Sequence, residues 1–299
     1  MRHRLLLSTL SCAIISIAAG LQLSRRSVLA AGAGGCCCVH HAPPACALAD
    51  LVPAPLYTSA VPAVARNAAA DSAFANTMAN GMQGYERAVA PIKQRLFSRL
   101  LAAGSSLPAE GAVIVELGVG TFPNAPFYAD ALRGDGSSSL RGVDLIGIDP
   151  NEAMAPFAQQ AHSRNGLGVG GASTLRVVRG VAEALPLADN SADAVVCTLT
   201  LCSVVDPAAA VREVVRVLKP GGSFVFLEHV LSEDDPFLAS QQVALTPLQV
   251  VSADGCHLDR RTLETVRGTA GFKLVDAEVT NLKGFWYLSP TAAGVAVKA

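Results

Sequence analysis

Beyond residue 50 the chain lacks any uninterrupted apolar run of the roughly 18–20 residues that a membrane span needs, although 51% of its 299 residues are hydrophobic. It also lacks a basic footprint. Residues 1–49 hold four arginines and no acidic or aromatic residue, which leaves the rest with 19 basic against 24 acidic side chains. Nucleic-acid phosphates demand positive charge, so that class of partner is excluded. Cysteine is scarce in the body: Cys197, Cys202 and Cys256 make no disulfide framework, and no C-x-x-C pair is present. The other five (Cys12, Cys36, Cys37, Cys38 and Cys46) crowd the first fifty residues, where adjacent cysteines cannot close tetrahedrally around one ion. Cys256 has only His257 beside it in sequence, and two adjacent ligands make no site. No metal is expected.

What the N-terminus does hold is targeting grammar. Arg2 and Arg4 precede an apolar stretch from Leu5 to Ala19, and Ser24-Arg25-Arg26-Ser27-Val28-Leu29 resembles a twin-arginine export motif. Ala47-Leu48-Ala49 fits an A-x-A cleavage site. Residues 1–49 thus read as a removable presequence directing the chain to a plastid and onward to the thylakoid lumen. The alternative is a membrane anchor through Leu5–Leu21. Residues 50–71, rich in alanine and proline, read as a linker, and 72–299 as one domain with an N-terminal helical cap.

In that domain Tyr85, Val89, Ile92, Leu96 and Leu100 recur at helical spacing within 72–101. After Pro108 the period changes. Val113–Val115, Leu145–Ile148, Leu175–Val178, Ala194–Cys197 and Phe224–Leu227 are short β-branched or aromatic runs alternating with amphipathic helices. In the clearest helix Asp206 can cap the start, Pro207 suits the first turn, and Val211, Val214, Val215 and Leu218 form the stripe up to Gly221-Gly222. This alternation predicts an α/β, Rossmann-like fold with a mostly parallel sheet and helices on both faces.

The first strand runs into Glu116-Leu117-Gly118-Val119-Gly120-Thr121. Glycines at a strand-to-helix turn allow close backbone approach to a ligand, and Asp149, at the end of the second strand, can accept from both ribose hydroxyls of a nucleoside. NAD-binding folds share that carboxylate. The dinucleotide fingerprint, however, requires a glycine where Pro123 stands, and an acid at Glu116 is foreign to it. Glu116 can hold an amino-acid end through water.

The third strand leads to Gly180-Val181-Ala182-Glu183-Ala184-Leu185-Pro186-Leu187, followed by Val196-Cys197-Thr198-Leu199-Thr200-Leu201-Cys202-Ser203-Val204 and Val217-Leu218-Lys219-Pro220-Gly221-Gly222. These runs resemble the class I methyltransferases of the ubiquinone/menaquinone-biosynthesis type. With Glu228-His229-Val230 and Asp254-Gly255-Cys256, the chain is similar to the methyltransferase-like 7 group, which includes alkyl-thiol S-methyltransferases. The resemblance spans roughly residues 80–298. It implies a seven-stranded sheet with the last strand antiparallel, S-adenosylmethionine as cofactor, and a small lipophilic acceptor, a thiol before a quinol or phenol. Gly118, Val119, Gly120 and Thr121 would face the methionine moiety, and Asp149, with Pro150 and Asn151, the ribose. Val181 and Ala182 would flank the adenine, while Thr198, Leu199 and Cys202 would line the floor near the methyl group. Phe122 stands where the family has a third glycine, and its ring would crowd the cofactor's carboxylate. His229 is the candidate general base, Tyr85 a candidate lid, and Pro236–Val251 a candidate apolar cover. An NAD-dependent oxidoreductase and a non-catalytic cofactor-binding module remain as alternatives. Peripheral membrane contact is compatible with the composition, and the oligomeric state is open.

Overall fold

Asn67 caps the first described helix by accepting hydrogen bonds from the N–H groups of Ala69 and Ala70, so its side chain satisfies two donors a helix start leaves free. The computed structural model describes residues 66–102, 105–133 and 140–299. The presequence at 1–49 and most of the linker at 50–71 lie outside the described residues. Helix α1 spans Ala68–Gly81, four residues ahead of the expected start, and α2 spans Gln83–Leu101. All five apolar positions predicted for α2 are buried, and Lys93 is buried with them, paired with Glu86 at 2.7 Å.

From there strands and helices alternate: β1 (Val113–Leu117), α3 (Ala125–Arg133), β2 (Val143–Asp149), α4 (Ala155–Arg164), β3 (Ser173–Arg179), β4 (Ala192–Thr198), α5 (Pro207–Val217), β5 (Leu218–His229), α6 (Pro236–Ser252), α7 (Thr262–Gly268), β6 (Phe272–Asn281) and β7 (Pro290–Lys298). The strands form one sheet in the order β3-β2-β1-β4-β5-β7-β6. β7 pairs antiparallel with both β5 and β6, and the remaining pairs are parallel. The seven-stranded, mostly parallel expectation holds, and both faces are covered. One core packs α2, α3 and α4 on one face, through residues such as Ile114, Leu145 and Val225, and the other packs α5 and α7 on Val115, Val195 and Phe226. Strand order reverses direction between β1 and β4, so their carboxyl ends part there and leave the crevice where α/β sheets take ligands.

Two details differ from the sequence reading. In α5, Asp206 accepts from Ala209 N–H and Pro207 is the first helical residue, as expected. The buried stripe, though, is Ala210, Val211, Val214 and Val217, with Val215 half-buried and Leu218 already in β5. The chain turns straight into the strand at Leu218, so Gly221-Gly222 belongs to β5 and shapes its approach past Asp193. The second concerns α6. Its 17 residues carry no charge, yet the buried ones are Gln242 and Thr246, while Phe237, Val243, Leu248 and Val251 point outward. Gln242 explains the inversion. It accepts from Ser232 N–H and donates to the carbonyls of Val230 and Tyr287, pinning the helix across the carboxyl edge of the sheet. Among the described residues no helix is long and apolar enough to cross a membrane.

Candidate active site

The turn after β1 is held by backbone bonds. Gly118 and Val119 both donate to the carbonyl of Ile148, at 2.8 and 3.2 Å, so neither amide is left to bind a ligand. The Val119 side chain is fully buried on Gly147, where an added Cβ would lie 2.9 Å from it. Val119 thus packs its side chain on the sheet, which explains a glycine inside β2 that the sequence reading passed over. Gly118 (φ 60°) is glycine because Thr200 leaves no room: a Cβ would meet Thr200 Oγ1 at 2.1 Å. Gly120 (φ 52°) differs, because the nearest atom to its imagined Cβ is 3.8 Å away. Open space at a left-handed turn is what close ligand approach requires, and Thr121, half-buried, follows directly.

Phe122 also adopts positive φ, at 61°, the backbone conformation that makes glycine usual there. Its ring is buried in the first core, 5.6 Å from that of Tyr128. The expected crowding of the cofactor does not occur, since the ring turns into the core.

Asp149 accepts from Gly120 N–H (2.9 Å) and Asn151 N–H (2.8 Å), one on each oxygen. Each oxygen keeps a further lone pair for a hydroxyl donor. Burial pushes its carboxyl up to about 6, against the pull of these donors and of Arg66. Pro150 is half-buried beside it, and Asn151 donates to the carbonyl of Asp71 in α1, bringing the N-terminal cap over the end of β2.

Glu116 lies deeper. Its Oε1 accepts from Asn124, which also donates to Thr198 Oγ1. Glu116 Oε2 and Asn124 Oδ1 are buried without a partner. Burial lifts the Glu116 carboxyl to about 7, with Asn124 and Tyr128 acting the other way. On the far side, Val181 bridges Ala184, with Ala182 and Glu183 in the turn between them. Glu183 reaches across to accept from the N–H groups of Val205 and Asp206, tying that loop to the one after β4. Leu199 has φ 56° and donates to Leu227 O, which turns the chain sharply off β4.

The remaining groups gather at the ends of β4 and β5. Glu228, fully buried, accepts from Thr200 N–H, Cys202 N–H and the Cys197 thiol. Arg260 takes the other side of the same loop, donating to the carbonyls of Leu201 and Val204. Sequence reasoning gave neither residue a role; the signal was an acid ending an otherwise apolar strand. His229 Nδ1 lies 3.7 Å from Cys256 Sγ, and its ring meets that of Tyr85 edge-on at 5.3 Å. Tyr85 is buried between His229 and Phe285, so it lines the site from α2. Cys256 does not act with its neighbour His257, whose side chain approaches Asp259 at 3.5 Å. Instead Cys202, His229 and Cys256 come together, their ligand atoms within 4.8 Å of one another and all three buried. The expectation that Cys256 has no third partner is thereby corrected: three distant segments supply the set.

Residues 127–226 match the methyltransferase-domain family. The chain is 32% identical over 218 residues to thiol S-methyltransferase TMT1A of Homo sapiens, covering 72% of this chain and 81% of that protein. It is 31% identical over 170 residues to the ubiquinone/menaquinone biosynthesis C-methyltransferase UbiE of Klebsiella pneumoniae, covering 49% and 66%. Among solved structures, a chain from the complex between the Haloferax volcanii Trm112 methyltransferase activator and a methyltransferase superposes with TM-score 0.53. It has 19% identity and covers 79% of this chain and 99% of that one, a likeness of fold.

The chain belongs to the S-adenosylmethionine-dependent methyltransferases. It is an enzyme of that class, and the oxidoreductase and non-catalytic alternatives fall away. The residues present fit the cofactor. Glu116 Oε2 and Asn124 Oδ1 are buried acceptors lacking a donor such as an ammonium group, Gly120 leaves room at the turn, and Asp149 has lone pairs for ribose hydroxyls.

Proposed function

We propose that this methyltransferase acts on a small lipophilic thiol. The observation that carries the reading is the similarity to thiol S-methyltransferase TMT1A across 81% of that protein. The site is compatible with it. A thiol is partly ionised near neutral pH and needs little help from a base, whereas a phenol or alcohol needs a positioned one.

When bound, S-adenosylmethionine supplies an activated methyl on a sulfonium. The chain's own work is binding and orientation, which can account for a large part of a bimolecular barrier. In this reading Glu116 and Asn124 receive the amino-acid end, Gly120 and Thr121 line the turn, and Asp149, Pro150 and Asn151 hold the ribose. Val181 and Ala182 flank the adenine, with Thr198 and Leu199 as the floor. Tyr85 and Cys202 border the acceptor, with His229 beside them.

A lipophilic acceptor also suits the surroundings. An open groove of about 370 Å³ lies between α6 and the segment before β7, where Phe237, Leu238, Leu282 and Trp286 alternate with the polar Asp235, Gln241 and Ser289. The outward apolar face of α6 supports peripheral contact with a membrane in which such acceptors dissolve. A labelled-methyl transfer assay over matched thiols and phenols tests the proposal. Turnover should favour thiols and rise with chain length by up to about 0.8 kcal/mol per buried methylene. Methylation of phenols alone would refute the thiol.

A further inference from the structure

We infer that Cys202, His229 and Cys256 form a binding site for a thiophilic divalent cation, Zn²⁺ above all, with a fourth position open to the acceptor thiol. The last clause rests on the thiol reading; the metal site does not.

The donor set comes first. Two sulfurs and an imidazole nitrogen suit zinc, whose tetrahedral sites with bonds of about 2.3 Å to sulfur and 2.0–2.1 Å to nitrogen place ligand atoms roughly 3.5–3.8 Å apart. Cys256 Sγ and His229 Nδ1 stand at 3.7 Å, and the whole set lies within 4.8 Å. Closing it asks for side-chain shifts of an ångström or less. Nδ1 is the His229 nitrogen on the cysteine side, 3.7 Å from Cys256 Sγ.

The backbone is built to make the three meet. Gly255 has φ 88°, and a Cβ there would strike Ser203 O at 2.8 Å, so glycine allows its loop to lie against Cys202-Ser203. His257 N–H donates to Cys202 O at 2.8 Å and locks the same approach. Glu228 holds Cys202 N–H from below at 3.1 Å, one residue from His229 on the strand. Ordinary packing of two small thiols requires none of this.

Three protein ligands and one open position is the pattern of a catalytic zinc site rather than a structural one. A coordinated thiol gives its proton to solvent and stays as thiolate. Its sulfur lone pair then forms the bond to the methyl carbon as the carbon–sulfonium bond breaks, and that electron pair remains on the departing sulfide. The thioether product, uncharged and a weaker ligand, leaves. Protons, charge and the methyl group balance, with no oxidant required. His229 serves here as a ligand, not as the base.

The test uses the full chain, purified under reducing conditions and loaded with Co²⁺, whose spectrum reports ligand type and geometry. The expected result is one equivalent bound, with near-ultraviolet thiolate-to-metal bands and intense visible bands of a tetrahedral ion. Cys202→Ser, Cys256→Ser and His229→Ala should each weaken Co²⁺ binding by about 100-fold or more, beyond the usual effect of changes around a site's ligands. Cys197→Ala, whose thiol lies outside the cluster, should keep the spectrum. Binding of S-adenosylhomocysteine to every variant verifies that each is folded. An added alkanethiol should shift the visible bands, while a matched phenol should not. A folded protein that binds no Co²⁺, or binds it without thiolate bands, overturns the site. So does an obligatory Cys202–Cys256 disulfide. Thiol methylation by a metal-free protein overturns the open position's role in activating the thiol and leaves the thiol reading intact. A loaded site whose spectrum ignores thiols overturns the open position.

Discussion

The two halves of the crevice are built in different ways. The cofactor half comes from short contiguous runs: Glu116 to Asn124 around one turn, Asp149 to Asn151 at the next strand end, and Val181 to Glu183 in one loop. The acceptor half is assembled from three separate segments, with Cys202, His229, Cys256 and Arg260 converging on one loop. Local chemistry carries the first, since a nucleoside cofactor is recognised largely through strand-end backbone and one carboxylate. Tertiary contacts carry the second, where buried polar groups clamp the chain from both sides. If that contrast is real, substitutions in the acceptor half should register first as lost stability, and those in the cofactor half as lost affinity.

The largest effect should come from Glu228→Ala. It removes the acceptor for the buried Cys202 N–H, the part-buried Thr200 N–H and the buried Cys197 thiol, a buried donor costing about 1–3 kcal/mol when left unsatisfied. Relief from deleting a buried carboxylate offsets part of that, so a net loss of about 3 kcal/mol is expected in urea denaturation. Glu228→Gln, which keeps one acceptor, should lose less. A change under about 0.5 kcal/mol in the alanine variant would mean that Glu228 does not hold the loop.

Next come the two glycines of the turn, which the fold separates sharply. Gly118→Ala forces a left-handed backbone and a clash with Thr200, so about 2–3 kcal/mol of stability should be lost. Adding Thr200→Ala should recover part of it by removing the two closest atoms. Gly120→Ala meets nothing, and should cost only about 1 kcal/mol in stability while weakening S-adenosylmethionine binding. Calorimetry and denaturation on both variants would expose equal behaviour, which the open space at Gly120 forbids.

These glycines also show what the sequence could convey. The positions of the first five strands and the burial of α2 were legible because apolar periodicity reports directly on which face packs. The positions of Gly118 and Gly120 were legible too, but not their separate reasons, since the clash with Thr200 joins residues 82 apart. Phe122 misled for a related reason: a family pattern records that glycine suits a positive φ, without saying where a replacement ring would go. Cys256 was the hardest to read, because its neighbour in the chain, His257, is not its neighbour in space. For α6 the composition was right and the orientation wrong. One glutamine bridging three backbone groups outweighed the apolar stripe in choosing which face turned inward.

A smaller effect should appear in pH dependence. Asp149 is raised to about 6 by burial, and ribose hydroxyls would donate to its ionised form. Ligand binding therefore favours loss of the proton. Through Asp149 alone, affinity should fall about tenfold per unit below pH 6, a loss of roughly 1.4 kcal/mol at pH 5. Glu116, raised to about 7, should begin the decline earlier where an ammonium group needs its charge. Asp149→Asn should bind weakly and flatten the limb below pH 6. A wild-type profile level from pH 5 to 8 would remove both carboxylates from the site.

The smallest expected change in stability belongs to the outer face of α6. Phe237 and Val251 are 72% and 85% exposed, so replacing both with glutamine removes almost no folded-state packing. Stability should move by less than about 0.5 kcal/mol. Function should move more if the face meets a lipid surface. Because α6 has no charged residue, the attraction there would be apolar, insensitive to salt and to anionic headgroups. Each side chain entering the interface gives up exposed apolar area worth about 25 cal/mol per Å². Together the two substitutions should therefore cut flotation with neutral phosphatidylcholine vesicles by about tenfold, in low and high salt alike. Turnover of a short, water-soluble thiol should stay at the wild-type level, since a short chain needs no contact with the groove that Phe237 borders and neither residue belongs to the cofactor half or the cysteine cluster. Turnover of a long-chain thiol presented in vesicles should fall with the flotation. Equal flotation of the wild type and the double variant would instead leave α6 as an inverted helix whose only role is the grip of Gln242 on the sheet edge, and the contrast between the two halves would then stop at the loop that Glu228 holds.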